Sequence, residues 1–523
     1  METTISTIDL GVVVAYFGVV LIIGLWVGAK TKTGEDLFLG GRSLTWGFIG
    51  LSLFASNISS STIIGLSGAA YSTGISQSVY EWMTGIPLII GATIFIPLYL
   101  RARITTIPEY LALRYDRRAR TYFSLITILF NLLVDVAAPL YAGAITLQLF
   151  FPTIGLWPMA MTLALIAGVY TALGGLKAVV YTDALQALIL IVGCGVLAFK
   201  MFGDLDYSWA NVMAAVPDGH LSIVQPIDDP SLPWPGLLLG VQLLGFWYWV
   251  TNQYIVQRVL GAKDISHARW GAMLAGFLKV LPLFIMVIPG AMAIRLFPGL
   301  PNPDMVFPTA LVNVLPVGLI GMVLAGLIAA IMSSVDSTLN SASTLLVIDF
   351  IKPAKPDITE RQVARYGRII TLVLMVLAAL WAPMIANFGG LWAYIQQMFS
   401  VAIPPVAVLF LVGVFFKRGN ATGAVWCLLV GTLWSIGTFL LAQAGLWTIH
   451  YTVNVGITFA VSTVVFIVAS YRTPPPDPDA VAQYVFQPDL VAPVRAGLVW
   501  YQDYRIHAAV LVVVMPGILI TLW

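Results

Sequence analysis

Charge, cysteine and histidine are scarce in this sequence, and the shortages narrow the class of protein. Only 10% of the 523 residues are charged, whereas a soluble protein carries about 25%. The two cysteines lie within apolar stretches and do not indicate a redox compartment. The four histidines are scattered without metal-ligand spacing, and the sequence contains no phosphate loop or nucleophile motif. We therefore do not expect an enzyme.

Hydrophobic residues are abundant instead, at 59% of the chain. A helix of about 20 predominantly apolar residues crosses a bilayer, and stretches of that length recur from end to end. We count fourteen, which begin near Ile8, Trp46, Val79, Tyr122, Leu156, Val180, Gly236, Ala268, Val317, Ile369, Leu391, Ala421, Thr452 and Ile506. They leave no room for a large soluble domain. The pattern predicts an all-α, multi-pass membrane protein with about fourteen transmembrane helices.

Lysine and arginine fall almost entirely on one side of the predicted spans. If the N-terminus lies outside, 23 of the 26 cations belong to inner loops, as the positive-inside rule requires. The longest outer loop, residues 203–234, carries five aspartates. This distribution predicts an N-out, C-out topology. It also accounts for the net charge of +2 without a nucleic-acid partner.

The second span, Trp46 to Tyr71, has a polar centre from Ser56 to Thr62. Serine, threonine and asparagine compete for backbone hydrogen bonds and favour helix ends over helix interiors. Non-helical backbone at membrane depth persists only where protein buries it or where it lines a watery cavity. The seventh span, Gly236 to Arg258, is interrupted in the same way. Paired breaks of this kind are typical of the binding sites of secondary transporters.

The two interruptions divide the chain into two five-helix halves, residues 46–203 and 236–416. Equivalent breaks in two halves favour an inverted-repeat architecture. The remaining segments are an extra N-terminal helix with a cytoplasmic loop (1–45), an extracytoplasmic loop (204–235) and three further helices (417–523), which include a cytoplasmic linker near 471–505. That linker begins with a proline-rich piece, so we expect it to be extended.

Ionisable residues inside membrane spans are costly and therefore functional by default. The predicted spans contain Glu81, Asp135, Asp183, Lys279 and Asp336. These residues either pair with one another as structural contacts or lie at a functional site, and Asp183 fits an interfacial position equally well. Glu81 and Lys279 have opposite charges, so they can neutralise each other and still bind the hydroxyls of an uncharged ligand.

Two further clusters suggest ligands. Tyr80 precedes Glu81, and Tyr248 lies in the interrupted seventh span; aromatic faces beside a few polar groups suit a sugar, although an aromatic packing cluster would give the same pattern. Ser333 and Ser334 are adjacent hydroxyls, and hard cations such as Na⁺ prefer oxygen ligands. The alternative for this pair is a helix-packing surface of small residues.

Several short motifs together resemble the sodium/solute symporter family, most closely its sodium–glucose and sodium–galactose cotransporter branch. They are Ala55-Ser56-Asn57-Ile58, Tyr80-Glu81-Trp82-Met83, Tyr181-Thr182-Asp183, Asn252-Gln253-Tyr254, Phe277-Leu278-Lys279, Ala330-Ile331-Met332-Ser333-Ser334 and Tyr394-Ile395-Gln396. The likeness runs in order from the first span to about Lys417. It implies a leucine-transporter-type fold with ten core helices in a five-plus-five inverted repeat, flanked by extra helices, in the plasma (inner) membrane.

The resemblance also implies roles for individual residues. Sodium would be held by the carbonyls of Ala55, Ile58 and Ala330 with the hydroxyls of Ser333 and Ser334. The sugar would be bound by Asn57, Glu81, Thr84, Lys279 and Gln396, with Tyr248 as inner gate and Leu66, Tyr80 and Trp392 as outer gate. Asp183 resembles a family aspartate linked to sodium coupling, and Asp336 is a candidate for a second ion site.

Four positions depart from the galactose carriers of that family. Ser61-Thr62 replaces a Glu-Gln pair, Gly245 replaces an asparagine, and Thr84 replaces a serine. These changes remove or shorten polar contacts, so the sequence leaves the sugar open. We predict a sodium-coupled symporter that imports a hexose by alternating access. The alternatives are a symporter of the same fold for inositol, sialic acid, a carboxylate or an amino acid, and a channel or facilitator. The oligomeric state is not predicted.

Overall fold

The computed structural model describes residues 6–28, 40–104, 106–170, 176–492 and 499–522, and these are mostly helical. The main helices are α1 (Thr7–Gly28), α2 (Trp46–Asn57), α3 (Ser60–Thr73), α4 (Ile75–Arg101), α5 (Arg117–Gln148), α6 (Leu156–Tyr170), α7 (Leu176–Gly203), α8 (Gly236–Thr251), α9 (Gln253–Leu260), α10 (Ile265–Leu296), α11 (Leu319–Leu345), α12 (Glu360–Trp381), α13 (Leu391–Leu411), α14 (Ala421–Gln443), α15 (Tyr451–Tyr471) and α16 (Tyr504–Thr521).

Helices long and apolar enough to cross a membrane recur along the chain, as predicted. Within the described residues nine qualify alone, and the bent pair α2–α3 qualifies as a tenth span. Four shorter apolar helices, which include α8 and the first parts of α1, α6 and α11, coincide with the remaining predicted stretches. The multi-pass, all-α prediction is therefore confirmed, whereas the count of fourteen spans, the N-out topology and the division into two halves stay predictions.

The predicted break in the second span lies at Ile58 and Ser59. Helix α2 ends at Asn57, and α3 starts at Ser60 with its axis turned by 57°. The Ser59 hydroxyl accepts the backbone N–H of Thr62 and caps α3. The Ser59 N–H donates to the Asn57 carbonyl, 2.8 Å away, instead of to the Ala55 carbonyl as in a continuous helix. The break therefore leaves the Ala55 carbonyl available to another donor or to a cation.

The break in the seventh span takes a different form. Residues Trp247–Thr251 form a π-helical turn, and Asn252 then has extended backbone (φ −72°, ψ 122°) before α9 begins. Five other π turns occur in the described residues, and one of them, Asn131–Val136, lies in the middle of α5. Such turns are uncommon and occur frequently at functional sites. Here these two turns place Tyr248 and Asp135 on the walls of the central cavity.

Helix α3 is fitted closely between its neighbours. A Cβ atom on Gly68 would lie 2.8 Å from the Pro303 carbonyl oxygen, and one on Gly290 would lie 2.5 Å from the Ser67 carbonyl oxygen. Both contacts are with backbone, which cannot move aside as a flexible side chain can. Glycine at these two positions is what allows the loop around Pro303 and helix α10 to approach the broken helix.

In its described parts, residues 471–492 and 499–505, the linker is not extended, contrary to the prediction. These parts contain short helical turns, and the side chains of Tyr484 and Leu490 are buried. The guanidinium of Arg269 in α10 donates to the carbonyls of Leu490 and Ala492. The proline-rich start indicated an open chain, but buried apolar residues and carbonyls bound by arginine hold the segment against the bundle.

Candidate substrate and ion site

A central cavity lies beside the break between α2 and α3. The described lining includes seven of the nine predicted substrate and gate residues: Asn57, Tyr80, Glu81, Thr84, Tyr248, Trp392 and Gln396. Of the other two, Lys279 does not line the cavity but donates a hydrogen bond to Glu81, which does. Leu66 is fully buried in the core and does not line the cavity. The structure therefore gathers nearly all of the predicted residues at one place.

An ion pair forms the polar wall of this cavity. The ammonium of Lys279 donates to the Glu81 carboxylate and to the Asn57 side-chain carbonyl, and the exposed fractions of the two charged side chains are 0% and 2%. The Trp249 ring centre lies 5.6 Å from the ammonium, a distance that allows a cation–π contact. The Thr84 hydroxyl donates to the Glu81 backbone carbonyl, so toward a ligand in the cavity that it lines it can act only as an acceptor.

An aromatic pair closes one end of the cavity. The rings of Tyr80 and Trp392 meet edge to face with centroids 5.5 Å apart, which is a favourable arrangement for aromatic side chains. The Tyr80 hydroxyl also lies 3.4 Å from that of Tyr451 on α15. The indole N–H of Trp392 is buried and has no partner among the described residues. It is therefore a donor that a bound solute can satisfy.

Helix α13, which carries Trp392, is anchored at its N-terminus by Asp304, which lies in the loop between α10 and α11. Its carboxylate accepts the backbone N–H of Leu391 at 3.0 Å and the hydroxyl of Tyr141 at 3.2 Å. Burial raises the pKa of Asp304 to about 6. A carboxylate at a helix N-terminus accepts a hydrogen bond from a free backbone amide and complements the helix dipole. Because Trp392 is the second residue of α13, this contact also fixes the position of Trp392.

A hydrogen-bonded cluster lies below the other end of the cavity. The hydroxyls of Tyr248 and Tyr254 are 2.6 Å apart. The Tyr254 carbonyl accepts from Arg258, whose guanidinium pairs with Asp183 at 3.1 Å. Ser52 bonds to both charged groups. Asp183 and Arg258 are both buried inside the protein, although the sequence favoured an interfacial position for Asp183 as much as a functional one and placed Arg258 in a loop.

A smaller cavity adjoins this cluster and contains several predicted sodium ligands. Ala55, Ala330 and Ser334 line it together with Ser56 and Asp183. Ile58, the remaining predicted carbonyl donor, is fully buried at the adjacent break. The side chains predicted at Ser333 and Asp336 lie outside the described residues. These residues can offer backbone carbonyl and hydroxyl oxygens, the ligands that a hard cation such as Na⁺ prefers, and Arg258, which is paired with Asp183, lines the same cavity.

Tyr254 and Asp135 are among the cavity residues that were not assigned to the site from the sequence. Tyr254 and Trp249 line the cavity beside Tyr248, and the aromatic motif around the seventh span was the available signal for them. Asp135 lines it from α5. The sequence identified Asp135 only as an intramembrane acid, because no spacing rule connects α5 to the other cavity helices.

A helix broken at membrane depth, beside a polar cavity with an aromatic pair at one end, defines a secondary transporter. The chain belongs to the sodium:solute symporter family, whose model matches residues 37–431. Among curated relatives, sodium/glucose cotransporter 1 of Oryctolagus cuniculus is 35% identical over 89% of this chain and 79% of its own length. Sodium/myo-inositol cotransporter 2 of Homo sapiens is 37% identical over 81% of this chain and 68% of its own length.

Solved structures agree on the fold. A substrate-bound, outward-open Na⁺-coupled sialic acid symporter superposes with a TM-score of 0.76 at 23% identity, over 90% of this chain and 99% of the other. Mhp1, a nucleobase-cation-symport-1 family transporter, gives 0.57 at 14% identity, over 87% and 99%. These neighbours have the leucine-transporter-type fold. Family membership also confirms that Na⁺ is the coupling ion, while the relatives named are transporters and not enzymes.

Proposed function

We propose that this protein is a sodium-driven symporter that imports a neutral polyhydroxylated solute, with a hexose such as glucose or galactose as the first candidate. The observation that carries the proposal is the buried Lys279–Glu81–Asn57 cluster on the cavity wall. A neutralised pair offers both donors and acceptors to hydroxyl groups without attracting a charged solute. The rings of Tyr80, Trp392 and Tyr248 add surfaces for the apolar face of a sugar.

Inositol is the second candidate. A cyclic polyol presents the same rim of hydroxyls as a hexose, and the relatives at 34–37% identity include cotransporters named for glucose and for myo-inositol. Gly245 and the Ser61-Thr62 pair stand where galactose carriers have longer polar side chains. The shorter side chains leave room at the cavity wall and support a solute other than galactose among the neutral polyols.

The transport cycle follows from the two adjoining cavities. Sodium from outside binds between the break at Ala55–Ile58 and the α11 segment with Ala330, Ser333 and Ser334, and it stabilises the outward-open state. The solute binds at the Lys279–Glu81 wall with Asn57 and Gln396, and Tyr80 and Trp392 close above it. Release of sodium to the inside loosens the broken helix and frees Tyr248. Sodium must bind the outward state better, because a ligand shifts an equilibrium only by its differential affinity.

The energy source is the sodium gradient across the plasma (inner) membrane. An inward-negative potential contributes about 2.3 kcal/mol per charge per 100 mV to the uphill step. In this scheme the protein carries solute and ion together and catalyses no chemical reaction. A channel or facilitator would give no uphill accumulation, so steady concentration of solute inside vesicles distinguishes the classes.

The test is uptake of labelled glucose, galactose, myo-inositol and sialic acid by proteoliposomes, with and without an inward sodium gradient. We expect sodium-dependent accumulation of at least one neutral polyol. Sodium-independent uptake would overturn the coupling, and uptake of sialic acid alone would overturn the solute class.

A further inference from the structure

Helix α16 lies after residue 431, where the match to the family model ends, and the transport cycle above gives it no task. It is nevertheless attached to the rest of the protein at both ends. At its start, the Tyr504 hydroxyl donates to the Val491 carbonyl at 2.9 Å. Immediately after its last residue, the Leu522 carbonyl accepts the backbone N–H of Ile223 at 2.8 Å. These attachments fix where the helix lies on the bundle.

The start of α16 is also joined to α4 and α10. The Cζ atom of Arg269 in α10 lies 4.2 Å from the centre of the Tyr504 ring, which is a cation–π contact. The same guanidinium donates to the Ala92 carbonyl of α4 at 2.9 Å. Beside it, the indole N–H of Trp270 donates to the Gln502 carbonyl at 2.7 Å. Arg269 therefore connects α4, α10 and α16 at one point.

One face of α16 fills the seam between α4 and α10. A Cβ atom on Gly85 of α4 would have three atoms of Met515 as its nearest neighbours, the first 2.9 Å away, and one on Gly276 of α10 would lie 2.9 Å from the Leu511 side chain. Leu511 and Met515 are 0% and 5% exposed, whereas Val513 on the opposite face of α16 is 72% exposed. Glycine in both neighbouring helices lets α16 lie deep in the seam.

This seam runs beside the polar wall of the cavity. Gly85 follows Glu81 by four residues, and Gly276 precedes Lys279 by three, so each glycine is about one helical turn from a charged residue. A buried ion pair offsets the cost of removing its charges from water only while its geometry is good. A shift of α4 against α10 would separate the two charges, so the pair depends on whatever holds these helices together.

We propose that Leu511 and Met515 are positioning residues of the solute site: by filling the seam they fix the spacing of α4 and α10 and hold the Lys279–Glu81 pair in the geometry that binds the solute. This inference rests on the proposed function, which makes the pair part of the solute-binding wall. Neither side chain is among the described residues that line the cavity, so each acts through the pair. Their apolar cover also keeps the two charges away from lipid, where a charged side chain is costly.

A packing role alone leads to a different expectation. Truncating any buried methionine lowers stability through lost contacts and the cavity left behind. If Met515 did no more than pack, that loss would be the same whether or not the Lys279–Glu81 pair is present, because independent effects add. If Met515 holds the pair in place, part of the loss comes from the pair and disappears when the pair is removed.

The first measurement is sodium-driven uptake of labelled glucose and myo-inositol by proteoliposomes. Met515→Ala should raise the KM for the solute by about tenfold, the effect of weakening one hydrogen bond to a charged group. The sodium concentration for half-maximal uptake should stay at the wild-type value, because the ion site lies on other helices. Met515→Leu keeps the apolar volume and should restore the KM. Val513→Ala truncates the exposed face of α16 and should change nothing.

The second measurement does not depend on transport. The thermal midpoint is recorded in one detergent for Met515→Ala, for the double variant Lys279→Met/Glu81→Gln and for the combination of all three changes. We expect Met515→Ala to lower the midpoint less in the double variant than in wild type. Each protein is first checked for a monodisperse size-exclusion profile, and Leu511→Val, a smaller truncation on the same seam, replaces Met515→Ala in both measurements if that variant does not fold.

The outcomes separate the two proposals. If wild-type protein accumulates a neutral polyol with sodium but Met515→Ala keeps the wild-type KM, the positioning role is refuted and the proposed function stands. An equal loss of midpoint with and without the ion pair also refutes the positioning role. If wild-type protein accumulates none of the neutral solutes, the proposed function itself is wrong, and the thermal midpoints still decide whether Met515 is coupled to the pair.

Discussion

The buried Lys279–Glu81 pair gives the sharpest test of the cavity. Both side chains are essentially inaccessible, at 0% and 2% exposure, so solvent does not screen the charges. Removing one partner of such a pair leaves an uncompensated buried charge and costs about 3–5 kcal/mol. Total stabilities of about 5–15 kcal/mol are usual for folded domains. The single variant Lys279→Met should therefore lose a large part of its stability, because the Glu81 carboxylate is left without its partner. Glu81→Gln should lose stability because the Lys279 ammonium is then the unpaired buried charge.

The double variant tests whether the charges themselves are coupled. Replacing both charged groups by neutral ones of similar shape is often neutral or stabilising, so K279M/E81Q should be more stable than K279M alone. The assay is the thermal midpoint of purified protein in one detergent, at one scan rate because unfolding can be irreversible, in a double-mutant cycle. Transport should stay low in all three variants, since hydroxyl-binding groups are gone. A double variant no more stable than K279M would refute the buried-pair argument.

Three other expectations concern the ion site, the broken helix and the gate. Ser334→Ala should raise the sodium concentration for half-maximal uptake by about tenfold, the effect expected when one polar group that contacts the ion is lost. Ser462→Ala, which removes a buried hydroxyl from α15, should leave that concentration unchanged. If Ser334→Ala shows the sodium dependence of wild type, the proposed ion site is contradicted. Gly68→Ala should lower the free energy of unfolding by about 1–3 kcal/mol, and with it the thermal midpoint, because the added Cβ meets a backbone carbonyl at 2.8 Å. Gly195→Ala, whose Cβ meets nothing within 4 Å, should raise the thermal midpoint slightly. The raised pKa of Asp304 means that the folded state binds this proton more tightly than the unfolded state, so its contribution to stability is fully present below pH 3.8 and is lost as pH rises through about 6. Asp304→Asn should therefore be more stable than wild type at pH 7.5 by thermal midpoint, with the difference shrinking at pH 5; a pH-independent difference would contradict the assignment.

Much of the architecture could be predicted because membrane burial leaves strong local signals. Long apolar runs locate the spans, and polar residues predicted a break between Ser56 and Thr62, within which the structure ends α2 at Asn57. The pairing of Glu81 with Lys279 was inferred from opposite charges in apolar surroundings. Local pattern also explains the error in the linker, since proline predicted an open segment while the burial of Tyr484 depends on distant parts of the chain.

Contacts between distant helices could not be predicted in this way. Arg258 follows a span and was assigned to a loop by the positive-inside rule, yet it is buried against Asp183, 75 residues earlier in the chain. The π turns that aim Tyr248 and Asp135 into the cavity add one residue to a helical turn and have no composition signal. Leu66 was expected at the gate by resemblance; it is buried in this structure and does not line the cavity, and its gate role stays a prediction. Positions set by packing geometry therefore require the folded structure.

The arrangement of the two cavities gives a physical basis for coupling. Ser56, Tyr254 and Ser334 line both of them, so an ion and a solute bound side by side would share walls. Ser56 also donates to Asp183 at 3.2 Å, and Arg258 connects Asp183 to the Tyr254 carbonyl. A tenfold change in solute affinity requires about 1.4 kcal/mol, which is no more than one hydrogen bond to a charged group provides. Rearranging a single bond in this cluster when sodium binds is therefore enough to couple the ion to the solute, and no large motion at the ion site is required.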